Sequence, residues 1–184
     1  PTTAIRYNNL ALVLQHLGDY AQAKELLQKA VASDEKKFGE NHPNTAKSYN
    51  NLAGVLRDLG NYDQAKTLFQ KVVVSNEKNF GENHPVTAGS YSSLASALQD
   101  LGDYAKAKKL LQKVVASDEK NFGEDHPTTA GRYNNLADIY YHEGNIPHCI
   151  ALKQKALAIY QKTFPNGHPQ IAVWEEKLAE LRAL

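Results

Sequence analysis

Tyr7-Asn8-Asn9-Leu10-Ala11 returns as Tyr49-Asn50-Asn51-Leu52-Ala53, as Tyr91-Ser92-Ser93-Leu94-Ala95 and as Tyr133-Asn134-Asn135-Leu136-Ala137. The step is 42 residues each time, and the same step carries Gly18 to Gly60, Gly102 and Gly144, and Pro43 to Pro85, Pro127 and Pro169. Three independent markers share one period with no residue inserted or lost, which is the signature of stacked repeats. Inside each copy the punctuation describes two helices. The first runs from about Pro43 to Leu59, with proline at a helix start, where its missing N–H leaves no bond unmade, and Gly60 just past the end. The second begins at once. Asp19, Asn61, Asp103 and Asn145 follow the glycines, and each has a side-chain oxygen able to cap an orphan N–H. Gln22 and Gln64 add a partial capping box. This helix continues to Phe38, Phe80 and Phe122, stopped by Gly39, Gly81 and Gly123; in the fourth copy Pro165 takes the place of that glycine.

At 1.5 Å per residue the second helix is about 30 Å long and the first somewhat shorter. Apolar and small residues fall at helical spacing: Tyr7, Leu10, Ala11 and Leu14 on one helix, Tyr20, Ala23, Leu27 and Ala30 on the other. One hairpin cannot bury both stripes, whereas stacked neighbours can. The predicted fold is therefore all-α, a right-handed superhelical solenoid of antiparallel helix hairpins. It forms a single array over 1–184, with repeats at about 3–44, 45–86, 87–128 and 129–170 and a capping half-repeat at 171–184. In that last segment Ile171, Trp174, Leu178 and Leu181 form one stripe while Glu175, Glu176, Glu180 and Arg182 face away. Trp174 has a groove-facing role as its alternative reading.

The 184 residues are 42% hydrophobic and 22% charged, enough for a sizeable core. A net charge of +1, with both signs interleaved, leaves no basic stripe for a nucleic-acid backbone. Cys149 is the single cysteine, so no internal disulfide is open to it, and no Cys/His cluster has zinc spacing. No apolar run approaches the roughly 20 residues that span a bilayer, and the start does not read as a signal peptide. The expectation is a cytoplasmic protein without cofactor or metal, binding neither nucleic acid nor membrane. A start at Pro1 and the absence of methionine suggest a piece of a longer protein. Cys149 is in register with Ala23, Ala65 and Ala107 and reads as a small core residue.

Tyr7, Leu10, Ala11, Gly18, Tyr20, Ala23, Leu27 and Ala30 resemble the large/small signature of a tetratricopeptide repeat, and the resemblance spans nearly the whole chain. The usual repeat has 34 residues. Here the second helix is longer and a Phe-Gly-Glu-Asn-His-Pro turn is added at 38–43 and 80–85, with Asp125 for Asn at 122–127. That long form, with its Asn-Asn-Leu-Ala and Gly-Glu-Asn-His-Pro strings, is similar to the kinesin light chain group and its bacterial relatives. The resemblance implies a concave groove, lined by the first helices, that binds extended or helical peptides of partner proteins. Asn9, Asn51 and Asn135 match the position from which chaperone-binding members hold a peptide carboxylate or backbone. Ser93 departs from it, and the paired cations of that clamp are not reproduced as a set.

An asparagine side chain offers one acceptor and two donors, so it can pair with both polar groups of a peptide unit whatever the sequence. An interhelix hydrogen-bond ladder is the competing reading of the same residues. Helical spacing extends the candidate peptide-binding stripe over Asn8, Asn9 and Leu12; Lys47, Asn50, Asn51 and Arg57; Ser92, Ser93 and Gln99; and Asn134, Asn135, Asp138 and Tyr141. Lys47 and Arg57 suit a partner segment with acidic residues, but Asp58, Asp100 and Asp138 lie on or near the same face, and an ordinary solvated surface explains it as well. His42, His84, His126 and His168 each precede a proline. Neighbouring copies are separated by about 10 Å by helix packing distances, too far for shared coordination, so these histidines read as structural. The expected function is a protein-protein interaction module that binds a linear peptide segment in its groove; a spacer or sensor array within a larger signalling protein is the alternative. An enzyme would need a nucleophile and base in one pocket, and the sequence offers none.

Overall fold

In a computed structural model the structure describes residues 3–183; Leu184, the last residue of the expected capping half-repeat, lies outside them, as do Pro1 and Thr2. The described residues form nine helices and no strand: α1 (Thr3–His16), α2 (Tyr20–Phe38), α3 (Pro43–Asp58), α4 (Tyr62–Phe80), α5 (Pro85–Asp100), α6 (Tyr104–Phe122), α7 (Pro127–His142), α8 (Ile146–Thr163) and α9 (Pro169–Arg182). They are grouped in two compact units, Pro1–Gly102 with α1–α5 and Asp103–Leu184 with α6–α9. The division falls at the turn between α5 and α6, inside the third 42-residue copy.

Four of the helices begin in the same way. His42, His84, His126 and His168 are N-caps: each imidazole Nδ1 accepts from the backbone N–H two residues on, at 3.1 Å in every case. The proline that follows occupies the first helical turn, where no intrahelical partner for its nitrogen exists. The ring of His42 stacks on Phe38, and that of His84 on Phe80. Between them Gly39, Gly81 and Gly123 adopt φ of 83°, 86° and 94° with ψ near 160°, a region essentially closed to residues with a Cβ. A buried threonine then ties each turn down: the hydroxyls of Thr45, Thr87 and Thr129 donate to the carbonyls of Gly39, Gly81 and Gly123 at 2.8 Å.

The second helices are capped as expected at Asp19, Asp103 and Asn145, whose side chains accept from the N–H of Gln22, Lys106 and His148. Asn61 departs from the expectation and makes no side-chain cap bond. Neither Gln22 nor Gln64 returns a capping-box bond among the described residues. α8 stops at Thr163, two residues before Pro165, and Gly167 supplies the positive φ of the turn that follows.

The interior is built from columns of small residues. Ala11, Ala53, Ala95 and Ala137 on the first helices, and Ala23, Ala65, Ala107 and Cys149 on the second, all have 0% exposure. Burial pushes the Cys149 thiol above its usual range. Tyr49, Tyr91 and Tyr133 are buried in the core, and their phenols donate to Glu35, Glu77 and Glu119 of the preceding helix. α1 departs from the expected stripe. Leu10 is 51% exposed and Val13 54%, where Leu52 is 6% exposed and Val55 0%. α3 packs between α2 and α4, whereas α1, first in the array, has no helix on its outer side among the described residues.

Candidate functional site: cavities along the first helices

The first unit holds two neighbouring cavities. The first, of about 310 Å³, lies among α1, α2 and α3 and brings together Asn8, Asn9, Leu12, Lys47 and Asn51 of the sequence-predicted set. The second, of about 470 Å³, is lined by Lys47, Asn50 and Ser93, with Asn76 and Ser90 from outside that set. Lys47 borders both, and among the described residues its ammonium has no ion-pair partner. In the second unit a cavity of about 410 Å³ is lined by Asn134 and Asp138 together with Lys153 and Trp174.

The asparagines do not share one role. Asn51 donates from Nδ2 to Asn8 Oδ1 at 2.8 Å, and Asn8 donates in turn to Ser48 Oγ and to the Ala4 carbonyl, both at 3.0 Å. Ser48 Oγ passes the direction on to Asp34 Oδ2 at 2.7 Å. This pair therefore belongs to an interhelix ladder that ends on a carboxylate. Asn9 and Asn135 are exposed and Asn50 is half-buried, and none of the three has a hydrogen-bonded partner among the described residues. Asn134 is occupied differently: its Oδ1 accepts from Lys153 Nζ at 3.0 Å, and Asp138 accepts from the same ammonium at 2.7 Å.

Arg57 is not a free cation. Its Nε donates to Asp100 on α5, and that hydrogen bond holds the guanidinium above its usual range. Ser92 and Ser93 turn inward on their own helix, donating to the carbonyls of Ala88 and Gly89 at 3.2 and 3.3 Å. Gln99 is half-buried, and Tyr141 is exposed with its ring edge-on to His142. Neither residue lines these cavities. Trp174 is 6% exposed and packs against Tyr160 at 4.6 Å, while still bordering the cavity of the second unit.

Three residues escaped the sequence reading. Asp34 and Ser48 come from the second helix of one repeat and the first helix of the next, and both line the first cavity. Lys153 stands where Leu27, Phe69 and Leu111 stand in the other copies, and it is buried at 4% exposure. Its ammonium is held there by Asn134 and Asp138, as a buried charge requires. A lysine in a column of large apolar residues was the available signal. Among the described residues no three His, Cys, Asp or Glu side chains converge as metal ligands, and no helix is long and apolar enough to cross a membrane.

The chain belongs to the tetratricopeptide repeat family: the family's model matches residues 2–73, 48–120 and 86–162. Repeats of this family generally mediate protein-protein interaction. Among solved structures the chain is similar to the putative kinesin light chain nearly identical TPR-like repeats of Podosopora anserina, at 30% identity and a TM-score of 0.84 over 96% of this chain and 83% of that one. A point variant of the same protein matches at 29% identity, TM-score 0.85 and the same coverage. BtubC (BKLC) from P. vanneervenii matches at 21% identity and TM-score 0.80, over 96% of this chain and 73% of that one, and shares the fold. A comparison with the curated proteins gives no match.

Proposed function

We propose that the chain is a non-enzymatic interaction module that binds a linear segment of a partner protein along its first helices. The observation that carries this reading is the convergence of unpaired asparagine amides with the cavities of the first unit. Asn9 borders the first and Asn50 the second, and each side chain can bond both polar groups of a passing peptide unit. Asn135 repeats the first-helix position in the fourth copy. The unbroken 42-residue register from Tyr7 to Tyr133 supports reading the chain as one array of repeats. Arg57 is committed to Asp100, so a preference for acidic segments rests on Lys47 alone.

A peptide library selected on the chain supplies the probe. A selected peptide should bind about tenfold more weakly when Asn9 and Asn50 are both replaced by leucine, since each lost hydrogen bond is worth about 0.5–1.5 kcal/mol and the peptide's own groups are left unpaired. Helicity by circular dichroism should be unchanged. Equal binding by the folded double variant would remove these asparagines from the site and favour a spacer role for the array.

A further inference from the structure

Three contacts between successive repeats place the same two positions opposite each other, fourteen residues apart in sequence. Between α2 and α3 they are Asp34 and Ser48, between α4 and α5 Asn76 and Ser90, and between α6 and α7 Asp118 and Arg132. In the third contact Arg132 Nε donates to Asp118 Oδ2 at 2.8 Å, with the aspartate side chain only 2% exposed. In the first contact the equivalent carboxylate is also buried, at 5% exposure, yet its counterpart is a serine that supplies a single hydroxyl at 2.7 Å. Asp34 has no cation within ion-pair distance among the described residues, and its second carboxylate oxygen has no hydrogen-bonded partner. The shorter side chain leaves the first cavity, about 310 Å³, beside that carboxylate. The second contact has an amide in place of the acid, and there Ser90 donates to the Thr87 carbonyl of its own helix at 2.7 Å.

We infer that the cavity among α1, α2 and α3 is a receptor for a guanidinium group of a bound peptide, which would pair with Asp34 as Arg132 pairs with Asp118 inside the chain. The inference rests on the peptide-binding reading above. Three features support it. A buried carboxylate is stabilised when a cation and further hydrogen bonds reach it, and a planar guanidinium presents donors in the fork geometry that a carboxylate accepts. The relay from Asn51 through Asn8 to Ser48 runs donor to acceptor toward Asp34 and holds the carboxylate in place. Leu12 and Leu27 on the wall of the cavity offer apolar surface to the methylene stem of an arginine. Lys47, exposed at the same cavity, opposes a second cation and sets a modest ceiling on affinity.

The test uses the full chain and four fluorescein-labelled pentapeptides, Gly-Ser-X-Ser-Gly, with X as arginine, lysine, citrulline or glutamate, titrated by anisotropy. Arginine should bind about tenfold more tightly than citrulline, which has the same shape without the charge, and more tightly than lysine. Asp34→Asn, which reproduces the residue at Asn76, should bring arginine and citrulline to within about twofold of each other. Ser48→Arg, which reproduces the α6–α7 contact, should abolish arginine binding. Lys47→Ala should strengthen arginine binding by removing the opposing cation, whereas a site for acidic peptides would lose glutamate binding. Equal affinity for arginine and citrulline, no binding of either, or an arginine preference that survives Asp34→Asn would overturn the inference. If library-selected peptides still bind through Asn9 and Asn50 in that case, the peptide-binding function stands without this pocket. If the arginine preference holds but the asparagine variants have no effect, the pocket stands and the asparagine contacts fall.

Discussion

The contact between α2 and α3 and that between α6 and α7 share a scaffold and differ in how one aspartate is satisfied. Both carry a phenol donating to a glutamate, Tyr49 to Glu35 and Tyr133 to Glu119, and both carry a threonine tied to the glycine carbonyl of the turn. At the position just before the tyrosine, Arg132 reaches Asp118 across the α6–α7 contact, while Ser48 stops at one hydrogen bond and leaves Asp34 beside open space. One residue in a repeated column therefore decides whether a contact is closed by the chain itself or left open. The repeats keep the frame, and the contacts between them differ through the columns that vary.

The largest expected effect breaks the closed contact. Arg132→Ala leaves the Asp118 carboxylate buried without a partner and should destabilise the protein by about 3 kcal/mol in denaturant unfolding. Ser48→Ala removes one hydroxyl from a carboxylate that already borders a cavity, and should cost about 1–2 kcal/mol. Equal losses for the two variants would mean that the contacts do not differ in the way described.

A feature common to both contacts gives the next effect. Burial, reinforced by the bonded glutamates, pushes the phenols of Tyr49, Tyr91 and Tyr133 above their ordinary value, and Lys155 partly offsets the rise at Tyr133. The fold thus favours the protonated phenol. Its contribution is complete below the unfolded value of about 10 and is lost as pH rises through the raised folded values. Unfolding free energy should be insensitive to these groups at neutral pH and fall above about pH 10. Tyr49→Phe combined with Tyr91→Phe should flatten that alkaline fall.

The smallest effect lies at the surface of the first unit. Arg57→Ala removes an exposed pair with Asp100, with side-chain exposures of 42% and 24%, and should change stability by no more than about 1 kcal/mol. Because the guanidinium is already committed, the same variant should leave the affinity of a selected peptide unchanged, in contrast to variants that line the cavities.

The repeat frame was legible because three kinds of punctuation, Tyr-x-x-Leu-Ala, Gly and Pro, recur at one spacing. Helix ends followed from local rules, apart from the Asn61 cap and the capping boxes of Gln22 and Gln64. The histidine caps were not read, because a ring nitrogen that accepts from the N–H two residues on is not among the usual capping chemistries. Half of the candidate site was visible as a helical stripe on α1 and α3. Asp34 and Ser48 were not, because they meet across two helices of different repeats, and spacing along one helix carries no information about that contact. Asp100 was read as lying near the face of Arg57, but not as its ion-pair partner, because it lies one repeat away on α5. Reading each column down the repeats, rather than each helix along its length, singles out Asp34, Ser48 and Lys153.

The central claim, that the first-helix cavities are the recognition surface, is tested most directly by mapping where a library-selected peptide lands. In a titration followed by backbone amide and asparagine side-chain NMR resonances, the account predicts the largest shifts at Asn9, Lys47, Asn50 and Asn51, with the second helices' outward residues Gln28, Gln70 and Gln112 unmoved. Shifts concentrated on those glutamines, with Asn9 and Asn50 silent, would contradict it.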